Sequence, residues 1–396
     1  METKALLQSI AKERPAGTEN NNEVLGVLKR NFLEAGYNVD MLPFNCLTWE
    51  KGNSFIQIGS NQLMIKASPY SVPFEGEGEI IIIESLEALQ TEDLRDKIII
   101  LCGAASQNPV QPKDYPFYYP DEDRAVIERL ENQKPKAIVA MTGRSQLSGL
   151  NPFPMFEDGN FAIPSAYMSE EKWRQARGMF RANTYVSLKI DSKTMQVESG
   201  QLIAQKKTVG AKGKLIVCAH MDTKYETMGA LDNATGIGVL ITIMKKLKGI
   251  SSNLDIDFVP FNSEEYYGVN GELSYLSYLE QHKEKIALVI NIDAPCHIHS
   301  NTAVSYYNID KDQEKIINEL MQQYEKVEKG EAWYSGDHCA FAFNGTPCLA
   351  VSSSDLFEGA LAYTHTPKDT LETIDETLVG TTADFLVALI QEWSRR

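Results

Sequence analysis

The stretch HMDTKYETMGALDNATG, residues 220–236, places one histidine and two aspartates in a short polar run. An apolar run, KLIVCA, precedes it at residues 214–219, and another, IGVLITIM, follows it at residues 237–244. The first run is typical of a buried strand, and the second is typical of a helix that begins near Asn233 and ends at Gly249. The polar side chains of this stretch are therefore predicted to lie just past a buried strand.

Strands and helices continue to alternate toward the C-terminus. The sequence predicts further strands at residues 254–262, 287–294 and 345–353, and helices at residues 272–283, 310–327 and 376–396. This order predicts an α/β fold with a mixed, mainly parallel sheet that helices cover on both faces. The N-terminus adds two helical segments and a strand that ends near Phe44.

Residues 46–199 have a different character. Short strands such as EIIIIES and KIIILCG are separated by loops rich in proline and aromatic residues, for example NPVQPKDYPFYYPDED at residues 108–123. Two helical segments interrupt the strands. We expect a separate β-rich domain here, inserted into a discontinuous domain of residues 1–45 and 200–396.

Composition narrows the function classes. A length of 396 residues suits two domains, and the net charge of -16, with no basic cluster to offset it, argues against nucleic-acid binding. The sequence has no run of membrane-spanning length and no signal-cleavage pattern, so we expect a cytoplasmic protein without a membrane partner. The six cysteines are scattered and form no CxxC pair, which favours buried free thiols.

Several side chains with metal-binding or acid–base chemistry follow the predicted strands. They are His220, Asp222, Asp232, Glu264, Glu265, Asp293 and His365. Taken singly, each has a simpler explanation, such as a helix N-cap for Asp232 or a hydrogen-bonded loop histidine for His220. Ligand sites in open α/β sheets, however, collect at the carboxyl ends of the strands, so this shared placement predicts one site.

The residue types indicate a metal centre. Two histidines with several carboxylates and no cysteine suit zinc, with manganese or cobalt as possible substitutes. A pair of ions with one bridging carboxylate, each ion completed by one histidine and one further carboxylate, uses five ligands: His220, Asp232, Glu265, Asp293 and His365. Two such ions can hold a water and lower its pKa.

Two acidic residues remain for supporting roles. Glu264 and Glu265 are neighbours, so one can bind metal while the other faces the water and takes its proton. Asp222 is better placed to accept the second ring N–H of His220 and so to fix that imidazole.

These motifs, in this order, resemble a known family. HMDT, LDNATG, NSEEYYGVNGE, NIDA and HTPKDTLETID are similar to the successive motifs of the co-catalytic di-zinc aminopeptidases of the aminopeptidase Y type, a family that includes glutamate carboxypeptidase and the glutaminyl cyclases. The resemblance covers residues 14–45 and 200–385 and implies the zinc exopeptidase fold. Residues 46–199 resemble, more weakly, the protease-associated domain of many members, which supplies no ligands and borders the substrate cleft.

The resemblance also implies a role for each site residue. It assigns His220 and Asp293 to one zinc, Glu265 and His365 to the other, and Asp232 to the bridge. Glu264 becomes the general base and Asp222 the partner of His220. Asp337 and His338, in the segment YSGDHCAFAFNGTPCLAV, match an element near the cleft.

Two features depart from the family pattern or lie outside it. Several members place a tyrosine directly before the last histidine to steady the oxyanion, whereas here Thr364 takes that place and Tyr363 precedes it. The segment 355–364 is expected to shape the specificity pocket. His297 and His299 stand two apart on a possible strand, where they would share a face, and we expect a structural role or a place at the pocket rim.

The predicted function is a zinc-dependent aminopeptidase that acts on peptides with a free N-terminus. A glutaminyl cyclase with a single zinc is one alternative on the same fold, and a carboxypeptidase for acidic C-terminal residues is another. A third alternative is a non-catalytic binding protein. Receptors related to this family have typically lost ligands, whereas all five ligand positions are filled here.

Overall fold

The computed structural model describes residues 2–113, 115–142, 154–181 and 184–395. The chain divides into two units, of which one comprises Met1–Cys46 and Glu198–Arg396 and the other Leu47–Val197. The chain passes from one unit to the other within a strand in both directions, near residues 46 and 197.

The chain contains helices and strands throughout, and the two alternate in its C-terminal half. The helices are α1 (Glu2–Ile10), α2 (Glu19–Glu34), α3 (Leu86–Thr91), α4 (Asp121–Gln133), α5 (Glu170–Ala176), α6 (Thr235–Lys246), α7 (Asn270–His282), α8 (Lys311–Met321), α9 (Cys339–Ala342) and α10 (Glu376–Ser394). The strands are β1 (Asn38–Lys51), β2 (Ser54–Ile58), β3 (Asn61–Ala67), β4 (Phe74–Ile83), β5 (Ile98–Leu101), β6 (Ala137–Thr142), β7 (Ser165–Ser169), β8 (Tyr185–Ile190), β9 (Ser192–Lys206), β10 (Lys214–His220), β11 (Asp255–Phe261), β12 (Ile286–Ile292), β13 (Thr302–Tyr307), β14 (Val327–Lys329) and β15 (Cys348–Ser353).

An eight-stranded sheet in the order β1-β9-β11-β10-β12-β15-β13-β14 forms the larger unit. Its centre, β11-β10-β12-β15, is parallel, while β9 and β13 pair antiparallel with β11 and β15. The prediction of a mixed α/β fold with a large sheet and helices is confirmed. Strand β13 was not predicted, because its sequence TAVSYY is neither a continuous apolar run nor a strict alternation of apolar and polar residues.

Both faces of the sheet are covered by helices. Along β10, Leu215 and Val217 point into a core shared with α1, α2, α6, α8 and α10. The alternate residues point to the other face, as strand geometry requires. There Tyr275 of α7 packs edge-on against Phe261, with ring centroids 5.7 Å apart.

Two predicted helices are shorter than expected. Helix α6 begins at Thr235, because residues 230–234 form a wider turn before it. The predicted helix at 310–327 ends at Met321, and the final residue of the predicted range, Val327, belongs to β14. Its start is well defined, because Asp310 and Gln313 form a reciprocal capping box.

The smaller unit is a closed barrel of seven strands in the order β2-β3-β7-β6-β5-β4-β8. Helices α3 and α4 pack on it through Leu89 and Leu130, which join Ile99 and Ile138 of the barrel strands in one buried cluster. The β-rich character expected for this part of the chain is therefore present.

All six cysteines are buried free thiols, as the sequence predicts. Within the residues that the structure describes, no helix is both long and apolar enough to cross a bilayer.

A buried ion pair lies at the start of β10, at the opposite end of this strand from His220. Lys214 is completely buried, and its Nζ lies 2.6 Å from Oδ2 of Asp257 and also contacts Glu284. The hydroxyl of Tyr275 donates to the same Asp257 oxygen at 2.9 Å. Lys214 therefore neutralises a carboxylate that has no access to water.

Lys214→Met is expected to lower the free energy of unfolding by about 3–5 kcal/mol, because it leaves Asp257 buried without its cation. Lys246→Met is the matched control. It removes an ion pair with Asp384 whose two side chains are 41% and 53% exposed, and it should cost less than about 1 kcal/mol. Urea titration of both variants measures the two losses, and equal losses would contradict the assignment.

His338 is buried in a cluster of aromatic side chains. Its ring lies 4.6 Å from the rings of both Tyr307 and Trp333, and Nε2 is 3.1 Å from the carbonyl oxygen of Trp333. Burial lowers the pKa of His338 to about 4, so the imidazole is neutral in the fold at neutral pH.

This burial predicts a pH effect on stability. The unfolded chain protonates His338 near its ordinary pKa of about 6.5, whereas the folded chain does so only near 4. Stability should therefore fall as the pH drops between these values, by about 3 kcal/mol from this group alone. Unfolding titrations at several pH values should show a smaller acid-side slope for His338→Gln than for the parent. Identical slopes would refute the buried neutral imidazole.

Candidate metal centre and active site

The fold brings the five predicted ligands to one edge of the sheet. His220 ends β10, Asp293 directly follows β12, and Glu265 lies in the turn after β11. Asp232 lies in the turn before α6, and His365 lies in the loop between β15 and α10. Since the central strands are parallel, their carboxyl ends meet at this edge.

Asp232 occupies the centre of the group. Its Oδ1 lies 2.9 Å from Nε2 of His220, and its Oδ2 lies 2.9 Å from Nε2 of His365. Nε2 of His365 is also 2.7 Å from Oε1 of Glu265, and Nε2 of His220 is 3.4 Å from Oδ1 of Asp293. Two groups of three ligand-type side chains thus share Asp232, and within each group the candidate ligand atoms lie within 4.8 Å of one another.

The electrostatics of the group follow from burial and close pairing. Burial raises the pKa of Asp232, but hydrogen bonds from His220 and His365 outweigh it and hold that pKa below its ordinary range. Burial lowers the pKa of each imidazole, but the surrounding carboxylates outweigh it and raise both values well above normal. The cluster therefore requires positive charge at its centre, whether from protonated histidines or from bound cations.

The donor set fits zinc. The clustered atoms are imidazole nitrogens and carboxylate oxygens, which are ligands that zinc prefers, and no thiolate belongs to either group. The two oxygens of Asp232 face different histidines, which is the arrangement needed for one carboxylate to serve two ions.

Asp222 contacts the glutamate turn rather than the histidine. Its two oxygens accept the main-chain N–H groups of Glu264 and Glu265, each at 3.1 Å. Its Oδ1 is 4.0 Å from Nδ1 of His220, which is too long for the hydrogen bond that the sequence predicted. Burial raises the pKa of Asp222 to about 6. In this structure Asp222 orients the Glu264–Glu265 turn directly and faces the imidazole without bonding it.

Glu264 is half-buried beside the cluster. Burial and the carboxylates of Glu265, Asp293 and Asp222 raise its pKa to about 8, while His220 opposes the shift. A bound cation would favour the charged form and bring this carboxylate into the range of a general base.

The turn that carries the two glutamates has little freedom. Ser263 has a left-handed φ of 93°, and its hydroxyl accepts the N–H of Gly271 at 2.7 Å. A Cβ at Gly271 would lie 1.9 Å from the carbonyl oxygen of Asn262, so only glycine fits. The spacing of Ser263 and Gly271 in the motif NSEEYYGVNGE is therefore fixed by a close backbone contact between the two ends of this turn.

Asn233 positions Asp293, a role that sequence reasoning missed. Its amide nitrogen donates to the carbonyl of Ile292 at 2.8 Å, and its oxygen accepts the N–H groups of Gly236 and Ala294 at 2.9 and 3.2 Å. The Asp232–Asn233 peptide is cis. The sequence predicted Asn233 only as the start of a helix, because side-chain contacts across the sheet leave no periodic signal.

Asp369 is a second residue that the sequence did not single out. It is completely buried, and its two oxygens accept the N–H groups of Leu231 and Asp232 at 2.6 and 3.1 Å. Burial raises its pKa to about 7. Its position in the motif HTPKDT, four residues after His365, was the only feature of the sequence that pointed to a role for Asp369 in the site.

Other predicted residues lie outside the ligand group. His297 and His299 do not share a strand face as predicted: no strand covers them, and His299 is exposed with a left-handed φ of 69°. His297 is buried, and its Nδ1 lies 2.7 Å from Oδ2 of Asp355. Tyr363 packs against the His297 ring with centroids 5.4 Å apart.

Asp337 is buried, and so is its neighbour His338. Burial and the nearby carboxylates of Glu272 and Glu264 raise the pKa of Asp337 well above its ordinary value. A role for Asp337 beside the cleft stays a prediction.

Comparisons with known proteins find a family model and solved structures that resemble this chain. Residues 202–390 match a family model described as peptidase family M28. The chain is 25% identical over 214 residues to aminopeptidase YwaD of Bacillus subtilis (strain 168). That match covers 52% of this chain and 47% of the relative, so it spans about half of the relative's length.

Solved structures share the fold over almost the whole chain. An aminopeptidase from Aneurinibacillus sp. strain AM-1 has a TM-score of 0.75 at 17% identity, with 98% of this chain and 92% of that chain covered. BSAP, a zinc aminopeptidase from Bacillus subtilis, has a TM-score of 0.73 at 18% identity, with 98% and 94% covered. At these identities the likeness shows a common fold.

The matched segment contains all five members of the predicted ligand set, together with Asp222 and Glu264. The resemblance to the co-catalytic zinc aminopeptidases that the motifs indicated is thereby confirmed. Residues 202–390, just under half of the chain, are thus similar to peptidase family M28.

Proposed function

We propose that this protein is a zinc-dependent aminopeptidase that removes the N-terminal residue of a peptide. The observation that carries the proposal is the Asp232 carboxylate, whose two oxygens each lie 2.9 Å from a different imidazole, those of His220 and His365. The match to the model of peptidase family M28 supports the peptidase chemistry, and the names of the similar proteins, aminopeptidase YwaD and the zinc aminopeptidase BSAP, support the exopeptidase assignment.

Two zinc ions fit the donor set. His220 and Asp293 would hold one, Glu265 and His365 the other, and Asp232 would contact both. When bound, the pair supplies Lewis acidity for the scissile carbonyl and lowers the pKa of a nearby water. Asp222 keeps the glutamate turn in place through its two main-chain contacts.

Glu264 is the proposed general base. Its carboxylate takes a proton from the attacking water and passes it to the leaving amine, so that the base is regenerated in each cycle. The free α-amino group of the substrate is a cation at neutral pH, and the carboxylates of the site provide the charge that attracts it.

The unit Leu47–Val197 is proposed to be a protease-associated-like domain. Its seven-stranded barrel and the strand rhythm of its sequence support this assignment. Among the described residues, the candidate ligand groups come from the larger unit.

Replacing Glu264 by glutamine should preserve metal binding and lower kcat on aminoacyl-anilides by about 10²- to 10⁴-fold, the usual contribution of a general base. Glu319→Gln, at an exposed position on α8, is the matched control and should keep the parent rate. Steady-state kinetics, together with elemental analysis of bound zinc, test this. A Glu264→Gln enzyme that retains the parent kcat would show that another group accepts the proton.

The number of metal ions separates the aminopeptidase from a glutaminyl cyclase, for which one zinc is expected. Elemental analysis should give two zinc ions per chain for the parent and a lower value for His365→Ala, which removes one ligand of one ion. His282→Ala, at an exposed histidine on α7, should leave the count unchanged. A single zinc in the parent, or no loss in His365→Ala, would contradict the two-ion proposal.

A further inference from the structure

Arg14 is the largest fully buried side chain among the described residues, and it lies behind the proposed metal centre. It comes from the segment between α1 and α2, far from the ligands in sequence. Its Nε donates to the carbonyl of Met221 at 2.5 Å, and its Nη2 donates to the carbonyl of Gly229 at 3.0 Å. Its Nη1 donates to the carbonyls of Met228 and Lys12 at 2.9 and 3.0 Å.

Three of these carbonyls, those of Met221, Met228 and Gly229, belong to the loop that carries two ligands. Met221 directly follows His220, and Gly229 lies just before the turn that presents Asp232. The main-chain N–H of Arg14 also donates to the hydroxyl of Thr223 in this loop at 2.9 Å. One guanidinium therefore fixes the loop near both of its ends, which sets the separation between two of the five predicted ligands.

At Gly229 the guanidinium of Arg14 lies close to the loop, and there is no room for a side chain. Its φ is +59°, and a Cβ there would lie 3.2 Å from Nη1 of Arg14 and 2.5 Å from the carbonyl oxygen of Asp232. The absence of a side chain thus lets the guanidinium and the Asp232 main chain approach the same turn. Asp369 binds the N–H groups of Leu231 and Asp232 immediately beyond it.

The positive charge of Arg14 also suits a residue that holds the loop beside the carboxylates of the site. Arg14 is 1% exposed, and the buried carboxylates of Asp369, Asp222 and Asp232 oppose the cost of burying its charge. Burial lowers the pKa of Arg14 only to about 10, so the side chain remains a cation at neutral pH. A permanent positive charge behind a cluster of carboxylates reduces their mutual repulsion.

We propose that Arg14 is a positioning residue for the metal centre, which sets the spacing of His220 and Asp232 through the carbonyls of Met221, Met228 and Gly229. The proposal rests on the proposed zinc chemistry of this site. Lysine cannot replace the guanidinium, because its single ammonium group cannot reach the carbonyls at both ends of the loop with the fixed geometry of the fork.

The test compares Arg14→Met and Arg14→Lys with a matched control, Lys206→Met. Lys206 is also a cationic side chain that donates to two main-chain carbonyls, those of Leu247 and Ile250, but these lie at the end of α6 remote from the ligands. Zinc affinity is measured by chelator competition at a temperature where every variant is folded. Hydrogen exchange of the zinc-free proteins reports the order of residues 221–232.

Arg14→Met should bind zinc about 10- to 100-fold more weakly than the parent, the usual cost of losing a group that orients a ligand. Arg14→Lys should recover only part of this loss, and Lys206→Met should stay within about 2-fold of the parent. Exchange protection should fall at residues 221–232 in Arg14→Met but not in Lys206→Met.

Unchanged zinc affinity in Arg14→Met, or an equal loss in Lys206→Met, would overturn the positioning role. The exchange measurement keeps the two proposals separate. If the parent bound no zinc, the proposed function would fail. Loss of protection confined to residues 221–232 would still support positioning by Arg14, and unchanged protection there would overturn it.

Discussion

A buried carboxylate between two imidazoles is the constraint around which the site is arranged. Asp232 faces His220 with one oxygen and His365 with the other, each at 2.9 Å, and Glu265 and Asp293 flank the two histidines. So much negative charge in a buried place is unfavourable unless cations compensate it. Without cations, the repulsion between these buried carboxylates destabilises the fold. Two divalent ions bound between them would remove that repulsion, so the cluster is suited to bind such ions.

The sheet supplies the ligands, and main-chain contacts hold their turns. Parallel strands deliver His220, Glu265 and Asp293 to one edge. The turns that carry ligands are then held by side chains that bind the backbone: Asp222 below the glutamates, Asn233 beside Asp293, and Asp369 and Arg14 around the loop before α6. These contacts are made to main-chain N–H and C=O groups. They therefore constrain the backbone of the ligand-carrying turns directly, and this effect does not depend on which side chains the turns carry.

The ligands come from strand ends, whereas the residues that hold their turns bind main-chain groups, and this difference explains what could be predicted from the sequence. The convergence of the five candidate ligands follows from one rule, that parallel strands end at a common edge, and from the residue types found there. The roles of Asn233, Asp369 and Arg14 could not be predicted, because their partners are main-chain groups distant in sequence. Strand β13 was missed, because its sequence TAVSYY is neither a continuous apolar run nor a strict alternation of apolar and polar residues. The pairing of His297 with Asp355 in place of a shared strand face depends on a loop conformation that the sequence pattern does not encode.

The most direct test of the account is anomalous diffraction at the zinc edge from crystals of the zinc-loaded protein. Two peaks are expected, one on each side of the Asp232 carboxylate, with His220 and Asp293 next to one and Glu265 and His365 next to the other. A single peak, or peaks that Asp232 does not contact, would contradict it.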